Sequence, residues 1–142
     1  MKLLILDRDG VINFDSDHYI KHPDEWRPLP GSIEAIARLS QSGWRIAVAS
    51  NQSGIARGLF DMETLNAMHA KMHKAVTQAG GRIEAVFYCP DSADSDSPCR
   101  KPNPGMLLAI AERFNMSLAG TPAVGDSLRD LQAAHAVGAK PY

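Results

Sequence analysis

A chain of 142 residues, 44% hydrophobic and 22% charged, carries enough apolar surface for one folded core and too little length for two. With a formal net charge of −1 and no basic tract, it offers no footing to nucleic acid or to an anionic membrane surface. Its apolar runs are strand-length and its N-terminus lacks a signal-peptide pattern, so the expectation is a single cytoplasmic domain over residues 1–142, monomeric, with a small molecule as its partner. The two cysteines, Cys89 and Cys99, fit a reducing compartment, and a core of this size needs no disulfide.

The first element is Leu3-Leu4-Ile5-Leu6, a short apolar run that reads as a strand buried on both faces. It ends in Asp7-Arg8-Asp9-Gly10, which sets two carboxylates at the C-terminal edge of the strand, where open parallel sheets bind ligands. Taken alone this is an Asp-rich turn. Strand alternation points Arg8 away from Asp7 and Asp9. Residues 11–30, rich in Asp, His and Pro and anchored by Trp26, predict a long ordered loop of the kind that usually carries function. Ser32 can cap a helix with Ile33, Ile36, Ala37 and Leu39 on one face, stopped by Gly43.

Residues 44–49 read as a second strand, which runs into Ser50-Asn51-Gln52-Ser53-Gly54, a second polar cluster at a strand end. Asp61 opens a helix with Leu65, Met68, Met72 and Val76 inward, and Gly80-Gly81 stops it. On that helix His69 and His73 are four apart, but with no third ligand beside them a solvated face is expected. Residues 83–88 form a third strand, followed by a polar loop that delivers Lys101, and a helix starting at Asn103 and Pro104 turns Met106, Leu107, Ile110 and Phe114 inward. A short fourth strand over 121–125 delivers Asp126. Ser127 and Asp130 then make a capping-box pattern for a helix burying Leu128, Leu131 and Val137, so a purely structural Asp130 is expected.

Strand and helix alternate, which implies right-handed crossovers and a doubly wound, Rossmann-like parallel sheet with helices on both faces, the α/β class. The strand ends present Asp7 and Asp9, then Ser50 and Asn51, then Lys101, then Asp126. Three carboxylates converging in a crevice of reduced dielectric call for a hard cation, and oxygen donors shared with a phosphate are the habit of Mg²⁺. A hydroxyl, backbone N–H groups and a lysine suit phosphoryl oxygens, while one carboxylate can attack phosphorus and a second can move the proton.

In order and spacing, Asp7-Arg8-Asp9-Gly10-Val11, Ser50-Asn51, Lys101 and Gly125-Asp126 resemble the four motifs of the haloacid dehalogenase superfamily phosphatases, and the similarity spans the whole chain. Its most specific parts, residues 50–58, Cys89-Pro90 and Cys99-Arg100-Lys101-Pro102, place it near the members that act on small sugar bisphosphates without a large cap domain. The resemblance implies that Asp7 is the nucleophile and Asp9 the general acid and base, with Ser50 and Lys101 on the phosphoryl group. Mg²⁺ would be bound by Asp7, Asp126 and the main chain of Asp9. Arg100 would meet the sugar's second phosphate or hydroxyls, helped by Asp15, Ser16, Asp17, His18, Asn51, Gln52, Ser53 and Ser127.

Two departures from the family pattern matter. Members close the loop before Arg100 with zinc, using a histidine and a further cysteine where this chain has Asp91 and Ser97. Cys89 and Cys99 are then half a site, no zinc is expected, and the loop should lack its staple and be mobile. Members also continue with a further strand and helix, which the chain is expected to lack. Two other functions are alternatives: hydrolysis of histidinol phosphate, which the residues at 52–58 disfavour by resemblance, and a receiver-type signalling module, whose phosphorylated aspartate follows a later strand.

Overall fold

The computed structural model describes residues 2–142. Strand β1 (Lys2–Leu6) lies at the centre of the sheet and its side chains alternate between two cores. Leu4 and Leu6 face one, with Ile46 and Val48; Leu3 and Ile5 face the other, with Ala47 and Ala49. The last two pairs belong to β2 (Trp44–Asn51), which is followed by β3 (Ala85–Cys89), β4 (Pro122–Val124) and β5 (Lys140–Pro141). All neighbouring pairs are parallel and the order is β3-β2-β1-β4-β5. This is the doubly wound α/β sheet that the alternation implied. The strand that follows the last helix in family members, which this chain is expected to lack, is present as β5: Lys140 and Pro141 pair in parallel with Pro122 and Ala123.

Helices α1 (Ser32–Gln41) and α2 (Met62–Gln78) cover the Leu4 face, and α3 (Gly105–Phe114) and α4 (Leu128–Ala136) cover the Leu3 face. Leu65, Met68, Met72 and Val76 of α2 are fully buried, and truncating any of the larger ones to alanine costs about 2–5 kcal/mol. The Asp61 carboxylate caps α2, accepting from the Thr64 N–H at 2.8 Å. His69 does not lie on a solvated face; it is buried on the strand side of α2.

Two caps differ from expectation. Gly31, at φ 85°, is the N-cap of α1, and the Ser32 hydroxyl instead donates to the carbonyl of Val11 at 2.7 Å, tying the helix to the loop after β1. The expected Ser127–Asp130 box does start α4, but Leu128 is 67% exposed and Ala133 and Ala134 form the buried face. The loop between β1 and α1 is ordered by its own anchors. Trp26 is buried, and Lys71 of α2 donates to the carbonyls of Pro23 and Trp26, each at 2.8 Å. Among the described residues no helix is long and apolar enough to cross a membrane.

Candidate active site

From β1 the chain crosses first to β2 and β3 on one side, then returns to β4 on the other. The crevice opened by that reversal, at the C-terminal strand ends, is the ligand position of open α/β sheets, and here it receives Asp7 from β1 and Asp126 from β4. The Asp7 N–H donates to the Val124 carbonyl at 3.0 Å, which fixes how far the first aspartate stands above the sheet. The chain must then turn away beneath Asp126. Gly10 makes that turn at φ 84°, and a Cβ on it would run into the Asp126 carboxylate.

Lys101 is buried behind the two aspartates. Its Nζ donates to the Ala49 carbonyl at 2.6 Å, pairs with Asp130 at 2.9 Å and stands 3.6 Å from Asp7. Asn51, at the end of β2, holds the main chain of Lys101 from both sides: its Oδ1 accepts from the Lys101 N–H at 3.0 Å and its Nδ2 donates to the carbonyl at 3.3 Å. Ser50 is buried beside it, its hydroxyl accepting from Gln52 Nε2 at 2.7 Å.

Asp130 is more than a cap. One oxygen meets Lys101, while the other accepts from the N–H and hydroxyl of Ser127 at 3.2 and 3.1 Å. Burial alone would raise its pKa, but Lys101 and the Ser127 hydrogen bonds outweigh burial and hold it below the usual carboxylate value. Asp130→Ala, which strands the Lys101 ammonium and removes the cap, is expected to cost about 3 kcal/mol in urea unfolding. Asp130→Asn keeps an acceptor for Ser127 and should cost about 1 kcal/mol less. Equal losses in the two variants would show that the cap adds nothing.

The other acids are strained by charge. Burial pushes Asp7 up to about 8, Lys101 pulls it down, and Asp130 and Asp9 push it up further. Asp126 is raised by burial and by Asp130 and Asp15. Oxygens of Asp7, Asp126 and Asp130 lie within 4.8 Å of one another. Because both Asp130 oxygens are engaged, Asp7 and Asp126 are the pair free to take a hard cation, which would support the ionised form that burial resists.

A cleft of about 200 Å³ opens over these groups. The structure brings Asp7, Asp9, Asp15 and Ser16 to its wall, then Asn51, Gln52 and Ser53, then Arg100, Asp126 and Ser127. Ser50 and Lys101 lie beneath the wall. Asp17 and His18 are not brought in: Asp17 is exposed, and His18 lines a separate depression on the outer side of the loop. The turn at 16–19 projects them outward. Sequence reasoning missed Tyr19, Ile20 and Arg129, which also line the cleft. Nothing in the sequence marks Tyr19, whose φ of 66° and place under the Arg57 guanidinium, 5.6 Å from the ring, are tertiary features. Arg129 was accessible from its place on the first turn of the helix after Asp126.

Two further expectations are corrected. Arg8 does not point away; it is fully buried under the site, bonded to Asp9 and Gln52. Cys89 and Cys99 are joined as a disulfide with Cα atoms 5.6 Å apart, so the loop between them has a covalent staple. Asp91 and Ser97 pack against the two sulfurs.

A model of the haloacid dehalogenase-like hydrolases matches residues 1–138. The chain belongs to this family. Within the haloacid dehalogenase-like hydrolases it is 61% identical over 142 residues to the D-glycero-beta-D-manno-heptose-1,7-bisphosphate 7-phosphatase of Bordetella bronchiseptica, covering all of this chain and 79% of that one. It is 59% identical to the enzyme of the same name from Pseudomonas putida, over 99% of this chain and 81% of the relative. The crystal structure of D,D-heptose 1,7-bisphosphate phosphatase from B. bronchiseptica, complexed with magnesium and phosphate, superposes with a TM-score of 0.98 over 99% of this chain and 79% of that chain.

Proposed function

We propose that this haloacid dehalogenase-like hydrolase removes the 7-phosphate of D-glycero-D-manno-heptose 1,7-bisphosphate, through an aspartyl phosphate, in the supply of activated heptose for lipopolysaccharide. The observation that carries the reading is the cleft's mixed charge. Asp7 and Asp126 share its lining with Arg100 and Arg129. Burial, then the charges of Arg129 and Arg57, lower the Arg100 pKa, a repulsion that a second phosphate would relieve. Identity to enzymes of that name supports the substrate.

In this mechanism an Asp7 oxygen attacks phosphorus, the bond to the sugar oxygen breaks, and Asp9 gives that oxygen its proton. Asp9, now a carboxylate, takes a proton from water as the water attacks the phosphorus of the aspartyl phosphate, and inorganic phosphate leaves with Asp7 restored. Lys101, already 3.6 Å from Asp7, and Ser50 oppose charge on the phosphoryl oxygens. Mg²⁺, held by Asp7, Asp126 and the main chain of Asp9, would neutralise the nucleophile and the transferring group. Arg100 would take the second phosphate, with Asp15, Ser16, Asn51, Gln52, Ser53 and Ser127 available to the sugar.

We also read the chain as a cytoplasmic monomer of one domain that binds neither nucleic acid nor membrane. No zinc is assigned to it: Cys89 and Cys99 are tied in a disulfide and offer no thiolate, and when reduced they and Asp91 make only three ligand atoms where structural zinc takes four. Elemental analysis of reduced protein should find no zinc, and one zinc per chain would contradict this.

The substrate reading is tested by comparing kcat/KM for the heptose bisphosphate and for histidinol phosphate, with and without Arg100→Ala. Loss of a charge-assisted contact worth about 1.5–3 kcal/mol should raise KM for the bisphosphate about 10- to 100-fold and leave the monophosphate little changed. Equal use of both substrates by the unaltered protein would overturn the assignment.

A further inference from the structure

The guanidinium of Arg8 is fully buried, and its donors are divided among three side chains. Nε and Nη2 both meet Asp9 Oδ1, at 2.9 and 2.8 Å, Nη2 lies 3.4 Å from Gln52 Oε1, and Nη1 lies 3.2 Å from His69 Nε2 on α2. A guanidinium has donors and no acceptor, so His69 Nε2 must accept and its ring proton sits on Nδ1. Burial first, and then the charge of Arg8, bring the His69 pKa down to about 4, which keeps the ring neutral near pH 7 and able to accept.

The consequence falls on Asp9. Oδ1 accepts two hydrogen bonds, from Arg8 Nε and from Asn13 Nδ2, each at 2.9 Å, and Arg8 Nη2 stands against it at 2.8 Å as an ion-pair contact. Oδ2 receives one, from Gln52 Nε2 at 3.1 Å, and Gln52 is itself held by Arg8 and by the Ser50 hydroxyl. A saturated oxygen cannot carry a proton as well, so only Oδ2 has room to give and take one. We propose that Arg8 and His69 are positioning residues: His69 locks the Arg8 fork from the helix side, and the fork fixes the Asp9 carboxylate so that Oδ2 serves the leaving oxygen and the attacking water. The inference rests on the phosphatase reading above, with Asp9 as acid and base.

A purely structural buried arginine would affect stability or all substrates alike. A positioning role is selective in the first step, because a sugar alkoxide needs the proton from Asp9 and a p-nitrophenolate does not, whereas hydrolysis of the aspartyl phosphate uses Asp9 with either substrate. His69→Leu removes the acceptor; His69→Gln can place Oε1 where Nε2 was; Arg8→Lys keeps a charge but loses the fork. For the heptose bisphosphate, His69→Leu and Arg8→Lys should lower kcat about 10- to 100-fold with KM within about twofold. His69→Gln should recover most of that loss, and the pre-steady-state rate of p-nitrophenolate release from p-nitrophenyl phosphate, which reports the first step alone, should stay within about threefold in all three. If His69→Leu does not fold, Arg8→Lys against His69→Gln makes the same comparison. A p-nitrophenolate release step slowed as much as turnover of the bisphosphate, or wild-type kinetics in His69→Leu and Arg8→Lys, would overturn the inference alone. Failure of the unaltered protein to hydrolyse the bisphosphate would overturn the underlying reading with it.

Discussion

Asp7→Asn is expected to abolish turnover, by about 10⁴-fold or more, while the protein stays folded, because the amide has nearly the shape of the carboxylate and no competent nucleophile. The fold should tolerate it well. Burial and then Asp130 and Asp9, against the pull of Lys101, keep the native Asp7 protonated up to about 8, so below that pH a neutral amide replaces an already neutral acid. Circular dichroism and melting should therefore match the unaltered protein, and acid quenching during turnover should trap phosphate on the unaltered chain and none on the variant. Residual activity near that of the unaltered protein would rule out attack by Asp7.

The second large effect is that of metal. Chelator, or Asp126→Ala, should remove activity, since Asp7 and Asp126 are the carboxylates whose ionised forms a cation would support, both Asp130 oxygens being taken by Lys101 and Ser127. The requirement should also depend on pH. A cation needs the ionised form of Asp7, which the metal-free fold resists until about pH 8. Apparent Mg²⁺ affinity should thus rise between pH 6 and 8, up to about tenfold per unit, and level off above. Stability of the metal-free protein runs the other way. The unfolded chain ionises Asp7 at its ordinary 3.8 and the folded one holds the proton to about 8, so this residue's contribution is complete below 3.8 and is lost as pH rises through that window. Mg²⁺ should therefore raise the melting temperature more at pH 8 than at pH 6. Full activity in excess chelator, or a Mg²⁺ affinity flat across that range, would contradict the assignment.

The strand-end residues could be read from sequence because each follows an apolar run short enough to be a strand, and a parallel sheet brings all such ends to one edge. Asp7, Asp126 and Asn51 meet there for that reason, and Lys101 reaches them from the polar loop after β3. What could not be read depends on side-chain direction or on packing between elements distant in the chain. Alternation points Arg8 outward, but alternation holds inside a strand and fails two residues past its end, where the loop closes over it. His69 looked like one of a pair of surface histidines, and only the packing of α2 against the sheet shows that it is buried and bonded to Arg8. Asp130 matched a capping box, a correct local reading that concealed its ion pair with Lys101 from a different loop. Asp17 and His18 shared a loop with true cleft residues, and the turn that faces them outward has no compositional mark.

The most direct test of the assignment is ³¹P NMR of D-glycero-D-manno-heptose 1,7-bisphosphate incubated with the protein and Mg²⁺. The resonance of the 7-phosphate should give way to inorganic phosphate while that of the 1-phosphate persists. Loss of the 1-phosphate instead, or no release of phosphate from either position, would contradict it.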